Sequence, residues 1–156
     1  MRALIVYYSR TGHTRKVAEE LSKELSCDVE ELKDTANRSG PIGWLTCGRE
    51  ASGKMLAKLH PVQKDPAAYD IVVIGTPIWA RSMSSPVRTF LTEAKPKLKD
   101  VAFFCTEGSK GSESAFGEMG ELIGKKPKAT LAVTTEDLQK GIEADKVRQF
   151  ARDITA

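Results

Sequence analysis

The residues of this chain best placed to do chemistry are Ser9-Arg10-Thr11-Gly12-His13-Thr14. They lie between an apolar run, Ala3-Leu4-Ile5-Val6-Tyr7-Tyr8, and a helical pattern that begins near Arg15. Hydroxyls can donate to anion oxygens, and glycine lets the backbone close on them. The free amides and positive dipole end of a following helix favour negative charge at the same point. Together these describe a cradle for a phosphate. His13 sits inside it and could assist, although a solvent-facing helix start explains a histidine there equally well. Taken alone, the loop also has the composition of an ordinary turn.

Two further segments fall in equivalent places. Thr76-Pro77-Ile78-Trp79-Ala80-Arg81-Ser82 follows the apolar run Ile71–Gly75 and puts a tryptophan at the mouth of a strand. A flat ligand could stack on that indole; packing against a neighbouring helix is the alternative. Thr106-Glu107-Gly108-Ser109-Lys110-Gly111-Ser112 follows Val101–Cys105. Its small residues allow close backbone approach to a ligand, as they would in any glycine-rich turn.

The elements that must position these loops alternate along the chain. Strand candidates are Ala3–Tyr8, Val29–Leu32, Ile71–Gly75, Val101–Cys105 and Ala129–Val133. Near-continuous apolar runs of this kind belong to strands buried on both faces, as in a parallel sheet covered by helices. Val17, Leu21 and Leu25 form one helical stripe, and Trp44, Leu45, Met55, Leu56 and Leu59 a looser one. Ser85-Pro86 reads as an N-cap followed by proline at the first helical position, leading into Val87, Phe90 and Leu91. Ser112 or Ser114 can cap a helix carrying Phe116, Met119, Leu122 and Ile123, and a last helix buries Val147, Phe150, Ala151 and Ile154. The expected fold is α/β, a doubly wound five-stranded parallel sheet in a single domain over residues 1–156. Ligands of such folds bind beyond the carboxyl ends of the strands, where strand order reverses, which is where these loops lie.

Composition narrows the function further. Hydrophobic residues make up 40% and charged residues 29%, as in a soluble globular protein, and no run is long enough for a membrane span. A cytoplasmic location is the expectation. Cys27, Cys47 and Cys105 are unpaired in spacing and read as buried small hydrophobes; no metal site is expected. The net charge of +3 is interspersed, and the lysines at 95–99 and 125–128 flank predicted strands, so no nucleic-acid surface is expected. There is no G-x-G-x-x-G and no Walker A sequence. The position after Cys105 that a phosphatase cradle needs as arginine is Gly111, and the acidic residues of a response-regulator receiver are missing after Tyr8 and Gly75. His60 precedes Pro61 and reads as a turn residue, and two histidines so placed make no triad. Arg38 and Arg81 could attract an anionic substrate or partner or simply solvate, and Trp44 reads as a core residue, with a border of the site or a face for a partner as the alternatives.

With the three loops in view together, the chain resembles the flavodoxin-like FMN-binding family over essentially its full length. The family's first loop, S-x-T-G-x-T after the first strand, is matched by Ser9, Thr11, Gly12 and Thr14. Gly75-Thr76-Pro77-Ile78-Trp79 followed by Ser85-Pro86 is similar to its second loop, and the glycine-rich loop after Cys105 to its third. The resemblance implies strand order 2-1-3-4-5 and FMN as cofactor. Ser9, Arg10, Thr11, Gly12, His13 and Thr14 would hold the phosphate. Trp79 would lie against the ring, and the loops carrying Thr76, Pro77, Ile78 and Ala80 and carrying Thr106, Glu107, Gly108 and Gly111 would bond the ring edges. It implies electron transfer through bound flavin, with partner redox proteins; the alternative is a small NAD(P)H:quinone-type FMN oxidoreductase acting on a small acceptor. No side chain is assigned as catalytic, since the chemistry would be the cofactor's. A monomer or a homodimer is expected. The chain departs from the electron carriers in being slightly basic, in having no aromatic in residues 106–112, and in lacking the second-loop glycine that often turns a peptide towards the flavin N5.

Overall fold

The computed structural model describes residues 1–156. β1 (Ala3–Tyr7) leads into α1 (His13–Leu25) and β2 (Asp28–Glu31), and α2 (Gly40–Ser52) then precedes β3 (Ile71–Trp79). A two-residue strand, β4 (Ser82–Met83), is followed by α3 (Ser85–Ala94), β5 (Asp100–Glu107), α4 (Ser112–Ile123) and β6 (Thr130–Thr134). Two helices, α5 (Thr135–Lys140) and α6 (Glu143–Thr155), complete the chain. The parallel strands run in the order β2-β1-β3-β5-β6, which is the expected 2-1-3-4-5 topology with β4 added antiparallel to the end of β3.

The apolar runs behave as strands buried on both faces. Alternate residues of β1, β3 and β5 point to opposite sides, as the two-residue period of a strand requires. Leu4, Val6, Val72, Ile74, Val101 and Phe103 face α2, α3 and α4, meeting Cys47, Ala51, Leu91 and Met119. Ile5, Tyr7, Ile71, Val73 and Phe104 face α1 and α6, meeting Val17, Leu21, Val147, Phe150 and Ile154. The last helix therefore buries all four residues its pattern indicated. Cys47 and Cys105 are buried, whereas Cys27 is only half-buried, at the turn after α1.

Several local expectations are corrected. β3 does not end at Gly75 but runs on through Trp79, pairing with β5 as far as Pro77 opposite Thr106. Ile78 and Trp79 then pair with Met83 and Ser82 across a two-residue turn, Ala80-Arg81, with φ of 50° and 61°. Both angles are left-handed, the geometry of a tight hairpin turn normally filled by Asn and Gly. The segment 76–82 is thus strand, turn and strand rather than a loop. Its turn chemistry is absent from the sequence, so no local signal marks it. Thr106 and Glu107 likewise belong to β5, and the third loop proper begins at Gly108.

The second helical stripe is also not one face of one helix. α2 stops at Ser52 and buries the small residues Gly43, Cys47 and Ala51, while Trp44 and Leu45 point outward. Leu59 lies beyond it, in an isolated bridge with Asp34. Ser84, not Ser85, occupies the N-cap position of α3, and Gly111 rather than Ser112 or Ser114 precedes α4. α5 is an element the apolar pattern does not indicate. A capping box between Thr134 and Asp137 starts it, each side chain accepting from the other's backbone amide.

The centre of the sheet has no room to spare. A Cβ at Gly75 would lie 2.1 Å from the Phe104 ring. Gly75→Ala is therefore expected to cost about 2 kcal/mol by overpacking. Gly117→Ala, in α4 with nothing within 4 Å of the new methyl, should add about 0.5 kcal/mol by helix propensity. Urea denaturation of the two variants reads out the opposite signs.

Candidate functional site

The first loop is built as a turn closing on a helix start. The Gly12 amide donates to Ser9 Oγ at 3.0 Å, which draws the loop back on itself. Gly12 has φ 101°, open to glycine and strained for other residues, and occupies the N-cap position of α1. No side chain caps that helix. Its first-turn amides, which have no partner within the helix, are left facing outward beside Thr11 and His13. Thr14 is different: it is buried, and its hydroxyl is 2.7 Å from the hydroxyl of Thr106 on β5. That bond ties the first loop to the strand that delivers the third. Arg10 reaches the other way, its guanidinium donating to the carbonyls of Arg38 at 2.8 Å and Gly40 at 3.2 Å. The first loop is thereby fastened to the start of α2.

The third loop is held by Glu107. Its carboxylate accepts from the Ser112 amide at 3.0 Å, closing the loop across the start of α4. The Thr135 hydroxyl of α5 lies 3.5 Å from the Glu107 carbonyl. Gly108 faces open space, and a Cβ at Gly111 would press on Ile78 and Arg81 at 2.9 and 3.0 Å. The third loop therefore lies directly against the β3–β4 hairpin.

These elements enclose a cleft of about 160 Å³ at the carboxyl ends of β1, β3 and β5. Arg10, Thr11, His13 and Thr14 form one wall, Pro77, Ile78 and Trp79 the second, and Thr106, Glu107 and Gly108 the third. The remaining expected residues sit behind or beside it. Ser9 braces the first turn, Gly12 shapes it, and Thr76 is buried, donating to the Pro77 carbonyl at 2.8 Å and also bonded to Ser84. Ala80 borders a second, more apolar hollow of about 400 Å³, which joins the cleft through Trp44, Ile78 and Trp79. Gly111 caps α4. Sequence reasoning missed Thr135 and Leu138, which reach the cleft from α5. The capping-box pair Thr134 and Asp137 was the signal available for that helix. Trp44, read as a core residue or a border of the site, is 65% exposed at the lip of the cleft.

Trp79 is only 8% exposed. Its ring meets Tyr8 edge-on at 5.6 Å, and the Arg38 guanidinium lies 5.2 Å from its centroid. It is a fixed floor rather than a free stacking face. Arg38, weighed from sequence as an anion attractor, is 6% exposed and fully engaged inside. It pairs with Asp34 at 2.7 Å and with Glu50 at 2.9 Å, and donates to Ser85 at 3.3 Å. Burial pushes Tyr8 up to about 12, with Asp34 adding to the effect. Burial alone would raise Glu50, but hydrogen bonds from Arg38 and Ser85 outweigh it and hold that carboxyl below its ordinary value. Burial raises Cys47 despite Arg38 beside it, and drives Cys105 far above the ordinary thiol range.

Comparison with known proteins agrees with this architecture. A family model described as Flavodoxin matches residues 2–143. The fold is similar to that of a flavoprotein from Lactobacillus acidophilus solved in complex with FMN, with a TM-score of 0.75, 22% identity, and 89% of this chain and 97% of that one covered. It is similar to a protein from Bacteroides eggerthii ascribed to the flavoproteins, with a TM-score of 0.78, 20% identity, and 99% and 98% covered. Two-electron-reduced flavodoxin from Megasphaera elsdenii gives a TM-score of 0.60, 23% identity, and 96% and 97% covered. A search of the curated proteins found no match.

The Arg38 cluster sets two expectations. Arg38→Ala should cost about 3–5 kcal/mol, because it leaves Asp34 and Glu50 without their counter-charge in a buried position. Glu50 has a depressed value in the folded chain, so its contribution is complete above the ordinary 4.5 and is lost as pH falls through the lower folded value. Acid unfolding followed by circular dichroism below about pH 4.5 should accordingly be shallower in Glu50→Gln than in the wild type.

Proposed function

The chain belongs to the flavodoxin family and is an FMN-binding flavoprotein; on that basis we propose that it carries electrons through the bound flavin to a partner. The observation that supports this reading is the convergence of three separate segments on one cleft beyond the carboxyl ends of the strands. The residues present fit the cofactor. The uncapped start of α1, entered through Gly12, suits the phosphate, with the amides of the first turn and the Thr11 hydroxyl as donors. The Thr14 hydroxyl, held by Thr106, keeps those amides in register with the third loop. The cleft and its adjoining hollow, bordered by the indoles of Trp44 and Trp79, suit a flat ring system.

Bound FMN supplies one- or two-electron transfer at its isoalloxazine. The protein's residues bind and orient. Trp79, fixed by Tyr8 and Arg38, would give the ring an immobile apolar floor. Pro77 and Ile78 on the strand side, and Gly108, whose backbone no side chain shields, on the side of the third loop, would supply backbone groups to the ring. Glu107 lines the cleft with its side chain engaged by the Ser112 amide. Neither His13, exposed at the helix start, nor Glu107 is arranged as a base beside a nucleophile. Carriage needs only positioning and a ring edge open to a partner, and the exposed lip of the cleft at Trp44 supports that reading.

Two measurements test the reading. FMN should quench on binding in a fluorescence titration and bind at least about tenfold more tightly than riboflavin, which lacks the phosphate the α1 terminus would hold. Anaerobic potentiometric titration of the loaded protein should resolve two one-electron steps. Rapid turnover of NAD(P)H with a quinone, without a second protein, would overturn carriage in favour of a self-contained oxidoreductase.

A further inference from the structure

α2 is apolar on both sides. Its inner side, Gly43, Cys47 and Ala51, is buried against the sheet. Its outer side carries Ile42, Trp44 and Leu45, which are 81%, 65% and 63% exposed. An ordinary surface helix has one apolar stripe and turns polar residues to water. Clustered exposed apolar side chains mark an interaction surface. This cluster adjoins the cleft, because Trp44 lines both the cleft and the hollow beside it.

Cations outnumber acids around the cluster. Arg49 on α2, Arg81 at the hairpin tip and Lys110 in the third loop are not buried. None of them enters an ion pair. The acids that might balance them are turned inward. Glu50, the acidic residue of α2, is spent on Arg38, and Glu107 on the Ser112 amide. Glu113, in the first turn of α4, is the exposed acid at the margin.

Resting on the reading of the cleft as the flavin site, we propose that this face of α2, with the hairpin tip and third loop at its rim, docks an acidic redox protein. An apolar centre with a charged rim is the make-up of a transient protein interface. Unbalanced cations around it attract and orient an acidic surface. A second copy of this chain is disfavoured by the same charges, since a two-fold contact would set the basic rim against itself. An anionic membrane is disfavoured because Arg49 is the lone cation of α2, where an interfacial helix carries many. A partner seated here covers the lip of the cleft at Trp44, next to the point where electrons would leave.

The test uses the FMN-loaded protein, isotope-labelled for amide NMR. The probes are a plant-type [2Fe–2S] ferredoxin as the acidic partner and cytochrome c as the basic control. Ferredoxin should shift amides of residues 42–49, 80–81 and 110, with affinity falling at least about tenfold between about 20 and 300 mM salt. The double variant Arg81→Glu/Lys110→Glu should weaken it about tenfold at low salt. Ile42→Ser should weaken it at any salt concentration, and both variants should keep wild-type FMN affinity. The inference is overturned if ferredoxin leaves these amides unmoved, if cytochrome c binds there instead, or if the protein self-associates or binds phosphatidylglycerol vesicles through the same residues. Loss of FMN binding by the wild type would count against the cofactor reading alone, since the amide shifts can be read on the cofactor-free protein.

Discussion

The buried guanidinium of Arg38 is the constraint on which the candidate site depends. A charge removed from water is tolerated only when its partners replace the lost solvation. Here they come from four places: Asp34 from the start of the connection after β2, Glu50 from α2, Ser85 from the start of α3, and the ring of Trp79 from the end of β3. Meeting one charge therefore places α2, α3 and the strand end relative to one another. Weakening any one of these contacts leaves buried charge behind, so the elements hold or fail together.

The cleft inherits its walls from that arrangement. Arg10 extends it to the first loop by binding the carbonyls of Arg38 and Gly40. The Thr14–Thr106 hydroxyl pair extends it across to β5. A second buried cation does similar work on the far side of the hairpin, where Arg88 of α3 reaches Ser82 and Glu118 of α4. The apolar sheet supplies most of the stability, since removing apolar surface from water is the main force that favours folding. It is largely indifferent to the last few ångströms at the strand ends. Polar contacts with fixed directions decide those, and the cofactor site lies there.

This division also accounts for the outward face of α2. With its small inner residues against the sheet and Glu50 on Arg38, the helix is anchored without using Ile42, Trp44 or Leu45. Those side chains add nothing to the core. Their position at the lip of the cleft is consistent with a role outside the folded chain.

The order of residues along the chain is enough to specify the sheet and its helices. Continuous apolar runs at Ala3–Tyr7, Ile71–Ile74 and Val101–Cys105 allow only strands buried on both faces, and the intervening helical stripes require parallel crossovers. The three cleft-forming segments are legible for the same reason: each follows a run whose end is known. What local sequence does not carry is decided by contacts between distant residues. The hairpin at Ala80-Arg81 has none of the usual turn residues and is held by β4 and the third loop. Trp44 shares the periodicity of a core stripe, but α2 ends before that stripe is complete and rotates it to the surface. Arg38 has the composition of a surface residue, yet it becomes buried because two carboxylates from different segments meet it. Periodicity reports which face of an element is apolar. Only tertiary packing decides which neighbour that face meets, and which charges are drawn inside with it.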